Sequence, residues 1–183
     1  AMYQLAKLLP EKRKILRLYI SGGEPKRRWK SELTVEKDER ERLKGLVEQL
    51  GISDMVRMAG GVDRETLPFY YSAADVTVVP SYYEPFGLVP IESMACGTPV
   101  IASRVGGMQW TVKDGKTGFL VAARDSLAFA EKIKYLFEHP AVAKHLRENG
   151  IERVRRFFNW ETIAAQMSNF YTDLIIEHCW KKQ

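Results

Sequence analysis

The segment that decides the fold is residues 75–103, which read DVTVVPSYYEPFGLVPIESMACGTPVIAS. Asp75–Val79 is a short β-branched run, which is typical of a strand buried on both faces. Leu88–Cys96 carries apolar residues at helical spacing, and Gly97 follows where a helix would end. Val100–Ala102 is a second apolar run of strand composition. The segment therefore predicts a strand, a loop, a helix and another strand in that order.

The predicted start of this helix is a favourable binding site for an anion. Amides in the first helical turn lack backbone partners and carry partial positive charge, so they suit a phosphate. The amides concerned belong to Phe86, Gly87, Leu88 and Val89. Glu84 precedes this site and Glu92 lies about two turns along the helix. Carboxylates there can accept hydrogen bonds from sugar hydroxyls on either side of a diphosphate.

Two glutamates eight residues apart, with Pro-Phe-Gly after the first, resemble the signature of retaining glycosyltransferases of the two-domain B fold. The resemblance continues in family order through residues 95–103, 105–107 and 114–121. It covers essentially the whole chain, as the C-terminal, nucleotide-sugar-binding half of such an enzyme. Residues 81–87, SYYEPFG, look most like the sucrose-phosphate synthase branch of this family.

The resemblance implies roles for several residues. Glu84 would be the catalytic residue that hydrogen-bonds the donor sugar, and Glu92 would bind the ribose hydroxyls. The alternative for Glu84 is a loop carboxylate that caps the following helix. Gly106-Gly107 resembles a second glycine turn of the family, near the donor phosphates. The alternative there is a plain turn.

The expected donor is UDP-glucose, which is a substrate, so no cofactor and no metal is required. We expect a sucrose-phosphate synthase-like hexosyltransferase as the full-length protein, with this domain inactive in isolation. The alternatives are another hexosyl- or N-acetylhexosaminyl-transferase of the same fold, or a nucleotide-binding fragment without turnover. The acceptor, a sugar or a sugar phosphate, would bind through an N-terminal domain that this chain lacks.

The rest of the chain alternates between strand and helix patterns. The further predicted strands are Ile15–Ile20, Met55–Ala59 and Phe119–Val121, and the further helices are Met2–Leu9, Glu36–Leu50, Thr66–Ala74, Leu127–His139 and Val142–Phe158. Alternation of this kind predicts an α/β, doubly wound, Rossmann-like parallel sheet with helices on both faces. We assign residues 1–160 to this nucleotide-sugar-binding domain and residues 161–183 to a C-terminal crossover helix, capped by Asn159.

Glycine pairs follow the first two predicted strands. Doubly wound sheets bind nucleotides at the carboxyl ends of their parallel strands. We therefore predict that the nucleotide base lies next to Ser21, Gly22, Gly23, Gly61 and Val62.

One strand of the family pattern has no counterpart in this sequence. Family members begin this domain with a strand that carries Gly-Arg and, soon after, a Lys that helps to hold the diphosphate. This chain aligns from the helix that follows, so we expect a gap between Ile15–Ile20 and Asp75–Val79. Exposed strand edges pair readily with other chains. We expect another segment, or self-association, to fill the vacant position.

Composition limits the other classes of function. The two cysteines, Cys96 and Cys179, make no disulfide framework and suit a reducing compartment, and no apolar run approaches a membrane span, so we expect a cytoplasmic protein. Residues 1–30 carry nine Lys and Arg against two Glu. Such a basic segment is also typical of nucleic-acid binding. Because no aromatic and basic residues alternate as in known modules, we expect no nucleic-acid partner.

Overall fold

The computed structural model describes residues 1–25 and 34–180. Its helices are α1 (Met2–Leu8), α2 (Thr34–Gln49), α3 (Leu67–Ala73), α4 (Leu88–Ala95), α5 (Met108–Thr111), α6 (Ser126–Glu138), α7 (Pro140–Phe157) and α8 (Trp160–Trp180), with a 3-10 turn at Pro10–Lys12. Its strands are β1 (Leu18–Pro25), β2 (Val56–Gly61), β3 (Thr77–Val79), β4 (Val100–Ser103) and β5 (Gly118–Val121). Strands and helices alternate along the chain, so the predicted α/β class is confirmed.

The five strands form two parallel sheets. β1 pairs with β2 in one sheet, and β3, β4 and β5 lie in that order in the other. Within the described ranges, β1 and β3 are not hydrogen-bonded to each other. The gap that the family pattern predicts between these two strands is therefore confirmed. Self-association through that gap stays a prediction.

Strand β4 shows why helices cover both faces of the larger sheet. Successive side chains of a strand point to opposite faces. Val100 and Ala102 pack in one apolar cluster with Ile91 and Met94 of α4, whereas Ile101 packs in another cluster with residues of α6. Every residue of β4 is fully buried. The doubly wound arrangement is therefore confirmed.

The apolar cluster that contains Ile101 includes residues of both sheets. It includes Leu5 of α1, Val56 of β2, Ile101 of β4 and Phe129 of α6, each less than a tenth exposed. Helices α1 and α6 pack against each other within this cluster. Burial of apolar surface stabilises the structure whether or not the strand edges are paired. Packing through α1 and α6 therefore holds the two sheets together.

The first strand begins later than the sequence predicts. Ile15 donates its amide to the Lys12 carbonyl at 2.9 Å in a turn, and its side chain is 74% exposed, so the prediction of a strand from Ile15 is wrong. The strand starts at Leu18 and continues through Ser21 and Gly22 to Pro25.

The glycine pairs lie inside strands rather than in turns that follow them. Gly22-Gly23 belongs to β1, and Gly60-Gly61 ends β2. Ser21 pairs with Gly60, with irregular register on either side. Both pairs therefore belong to an irregular parallel ladder, and the prediction that they follow the two strands is wrong.

Helix α8 starts where the sequence places its cap. The Oδ1 atom of Asn159 accepts a hydrogen bond from the Thr162 amide at 2.7 Å, which confirms the predicted cap. The apolar face of this helix includes Met167, Phe170 and Ile175, all about half exposed or more. In the part of the chain that the structure describes, no helix combines the length and the apolar character needed to cross a membrane.

Candidate functional site

The site predicted from the sequence lies at the carboxyl end of β3. The chain leaves β3 after Val79, forms a loop through Phe86, and enters α4 at Leu88. Gly87 is the N-cap residue and has a φ of +90°, in the left-handed region. A Cβ there would also lie 3.0 Å from the Thr111 hydroxyl. Both the conformation and the close approach therefore require glycine at this helix start.

The first turn of α4 has backbone amides without partners inside the helix. The amides of Leu88 and Val89 have no partner four residues back, as helix geometry dictates. As a glycine, the N-cap residue has no side chain of its own to bind these two amides. The side chains of Leu88 and Val89 are 60% and 40% exposed. This end of α4 therefore combines donors that lack helical partners with the positive end of the helix dipole, next to exposed residues.

Glu84 folds the loop in front of α4. Its Oε1 atom accepts a hydrogen bond from the Gly87 amide at 3.1 Å, and its side chain is half-buried. One of the four amides predicted to face a phosphate is thus bound to Glu84. The geometry is that of the capping alternative, and the contact of Glu84 with a donor sugar stays a prediction.

The Gly106-Gly107 turn packs directly against the Glu84 loop. The Gly107 amide donates to the Glu84 carbonyl at 2.9 Å. A Cβ at Gly106 would overlap that carbonyl oxygen, and a Cβ at Gly107 would lie 2.5 Å from the carbonyl oxygens of Pro85 and Phe86. The structure therefore brings together two motifs that are about twenty residues apart in the sequence. Proximity of the two glycines to donor phosphates stays a prediction.

Glu92 is exposed on α4 and is held by a buried tyrosine. The Tyr71 hydroxyl donates to Glu92 Oε2 at 2.9 Å, and Tyr71 is only 8% exposed. Burial raises the pKa of Tyr71, and the hydrogen bond to Glu92 raises it further. The phenol therefore remains a proton donor at neutral pH.

Sequence reasoning missed the link between Tyr71 and Glu92. Tyr71 is buried, and its hydroxyl also binds Glu92, which lies 21 residues further along the sequence. No local pattern signals such a contact.

The residues predicted to lie next to the base belong to the other sheet. Ser21 and Gly22 lie near the end of β1, Gly61 ends β2, and Val62 follows it. The Ser21 hydroxyl donates to the Gly60 carbonyl at 3.3 Å, which joins the two strand ends. These residues lie at the ends of β1 and β2, whereas Glu84 and Glu92 lie in the loop and the helix that follow β3 of the other sheet. Their contact with a base stays a prediction.

Comparison with known proteins identifies the family. Residues 1–153 match the model of the glycosyl transferases group 1. The chain is 41% identical over 163 residues to a D-inositol 3-phosphate glycosyltransferase 2 from Catenulispora acidiphila. The aligned region covers 89% of this chain and 36% of that protein. It is similar to the structure of a sucrose-phosphate synthase from Thermosynechococcus elongatus, with a TM-score of 0.75 and 46% identity over 96% of this chain and 43% of that one.

A third similarity concerns the fold alone. The structure of Anabaena HepE in complex with UDP-glucose has a TM-score of 0.73 and 22% identity, over 93% of this chain and 52% of that one. The chain belongs to the group 1 glycosyltransferases. It spans less than half of the length of the inositol phosphate transferase and of the synthase that it matches.

Proposed function

We propose that this chain is the donor-binding half of a retaining hexosyltransferase that takes its sugar from UDP-glucose, with sucrose-phosphate synthase-like activity in the whole protein. The observation that carries the proposal is one continuous unit, in which the Glu84 loop, the open start of α4 and Glu92 follow strand β3. Family membership supports the same class of reaction.

The geometry suits a sugar nucleotide in a particular way. The diphosphate lies at the start of α4, against the amides of Phe86, Leu88 and Val89, and Gly87 allows its close approach. Preorganised amides at a helix start stabilise the charge that develops on the departing diphosphate. Glu84 accepts hydrogen bonds from hydroxyls of the donor sugar, and Glu92 accepts them from the ribose.

The similar proteins guide the choice of donor and acceptor. At 46% identity, the sucrose-phosphate synthase supports a synthase-like reaction. The fold shared with HepE holds UDP-glucose in that protein, so the fold is compatible with this donor. The relative at 41% identity is named for inositol 3-phosphate, which favours a second candidate: transfer of another hexosyl or N-acetylhexosaminyl group to an inositol phosphate. Both the synthase and the inositol phosphate transferase are named for a phosphorylated sugar or polyol. We propose that the acceptor is of this kind and binds to a further domain of the whole protein.

The proposal includes the setting of the reaction. The sugar nucleotide is a substrate, so the proposed transfer requires no resident cofactor. We assign the protein to the cytoplasm, because two cysteines without a disulfide framework are typical of a reducing compartment.

Donor binding without transfer is the expected behaviour of the 183-residue chain. We expect UDP-glucose to bind saturably, while release of UDP in the presence of fructose 6-phosphate or inositol 3-phosphate stays at the level without protein. The physical reason is that an acceptor must be held near the donor for efficient transfer. Calorimetry measures the first quantity and a coupled UDP assay the second. Turnover by this chain alone would contradict the proposal that the acceptor site lies elsewhere.

A further inference from the structure

A network of buried hydroxyl groups connects α3, β3 and α4 behind Glu92. Ser93 Oγ lies 2.8 Å from Thr77 Oγ1 and 3.1 Å from the Thr98 carbonyl oxygen. Because a carbonyl can only accept, Ser93 donates to Thr98 and accepts from Thr77. The Thr98 hydroxyl in turn donates to the Tyr71 carbonyl at 2.5 Å. The network therefore fixes the backbone of Tyr71 against the end of α4.

Tyr71 completes this network with its side chain. Its hydroxyl binds Glu92 Oε2 at 2.9 Å, and the side chains of Ser93 and Thr98 are almost fully buried. Buried and satisfied polar networks hold their members in one arrangement. Glu92 itself is exposed, so its carboxylate remains accessible to a ligand while Oε2 is held. An exposed glutamate would otherwise sample several rotamers, and ordering it on binding would cost affinity.

We infer that Tyr71 is a positioning residue that orients the Glu92 carboxylate toward the ribose, so that the site selects ribonucleotides over 2′-deoxyribonucleotides. The inference rests on the proposed function, in which Glu92 binds the ribose hydroxyls. It goes further because it attributes the selection of ribose over 2′-deoxyribose to a contact between α3 and α4.

The selectivity ratio separates a positioning role from a general structural role. We define this ratio as the affinity for UDP divided by the affinity for 2′-deoxy-UDP, both measured by calorimetry. The wild-type ratio is expected to be about tenfold or more, because the 2′-hydroxyl donates to a charged acceptor. Tyr71→Phe keeps the buried ring and removes only the hydroxyl. It is expected to lower the ratio at least about threefold, with the affinity for 2′-deoxy-UDP unchanged.

The neighbouring tyrosine provides a matched control. Tyr70 lies on the same helix, is 38% exposed, and contacts the Tyr19 ring edge-on at 6.4 Å between centroids. Tyr70→Phe is therefore expected to keep the wild-type ratio. Glu92→Gln keeps an acceptor for Tyr71 but removes the charge, and it is expected to lower the ratio by itself. In a Glu92→Ala background, which removes the group that Tyr71 positions, Tyr71→Phe should change the ratio no further.

The outcomes distinguish this inference from the proposed function. If Glu92→Gln lowers the ratio and Tyr71→Phe does not, the inference is overturned while the role of Glu92 stands. An equal loss of affinity for both nucleotides in Tyr71→Phe would indicate a general structural role and would also overturn it. A wild-type protein that shows no preference, or binds neither nucleotide, would overturn the ribose assignment to Glu92 and the inference with it.

Discussion

Replacement of Gly107 by alanine is expected to abolish UDP binding and to lower the free energy of unfolding by about 3 kcal/mol, the upper end for overpacked sites. The added Cβ would lie 2.5 Å from the carbonyl oxygens of Pro85 and Phe86. These neighbours are backbone atoms, so the clash cannot be relieved by a change of side-chain rotamer. The Glu84 loop must therefore move away from the start of α4. Urea unfolding measures the stability, and calorimetry measures the binding of UDP.

Gly45→Ala is the matched control for this substitution. Gly45 lies within α2 and is exposed, and a Cβ there would meet no atom within 4 Å. Alanine is a better helix former than glycine, so this variant is expected to gain about 0.5–1 kcal/mol and to bind UDP normally. Normal binding and stability in Gly107→Ala would show that the loop does not depend on this glycine turn.

Glu92→Ala is expected to weaken UDP binding by at least tenfold. Each lost hydrogen bond from a ribose hydroxyl to a charged carboxylate costs roughly 1.5–3 kcal/mol, and 1.4 kcal/mol is tenfold in affinity. The fold should remain intact because Glu92 is exposed and alanine favours a helix. A modest loss of stability, about 1–3 kcal/mol, is expected because the buried Tyr71 hydroxyl loses its acceptor. Calorimetry and thermal unfolding measure the two effects.

A second exposed helical glutamate serves as the control. Glu131 lies on α6, on the surface of the domain. Glu131→Ala carries the same change of charge and is expected to keep wild-type affinity for UDP. Equal affinities in wild type and Glu92→Ala would remove Glu92 from the nucleotide site.

The sequence predicted the region around α4 almost to the residue. The predicted helix, Leu88–Cys96, differs from the observed Leu88–Ala95 only at its cap residue. Prediction was accurate here because local signals agree: a glycine precedes the helix, and Gly97 follows it with a φ of +74°. By contrast, the apolar Ile15 suggested a strand where the chain forms a turn, since composition alone cannot show where a ladder begins.

The candidate site was predictable in its residues but not in its contacts. Whether the Glu84 carboxylate faces the Gly87 amide or solvent depends on loop geometry, and the sequence left both alternatives open. The contact between Tyr71 and Glu92 arises from the packing of α3 on α4. The spacing of apolar residues in either helix does not specify how the two helices pack. Tertiary packing therefore determined what local patterns could not.

Calorimetric titration of the 183-residue chain with UDP, at low and at high salt, tests the central claim most directly. We predict saturable binding of one UDP per chain, with an affinity that changes little with salt and exceeds that for inorganic phosphate. Nucleic-acid binding through the basic residues 1–30 would instead weaken steeply as salt rises. Absence of saturable binding to UDP and to every other nucleoside diphosphate would contradict the assignment of this chain as a sugar-nucleotide donor domain.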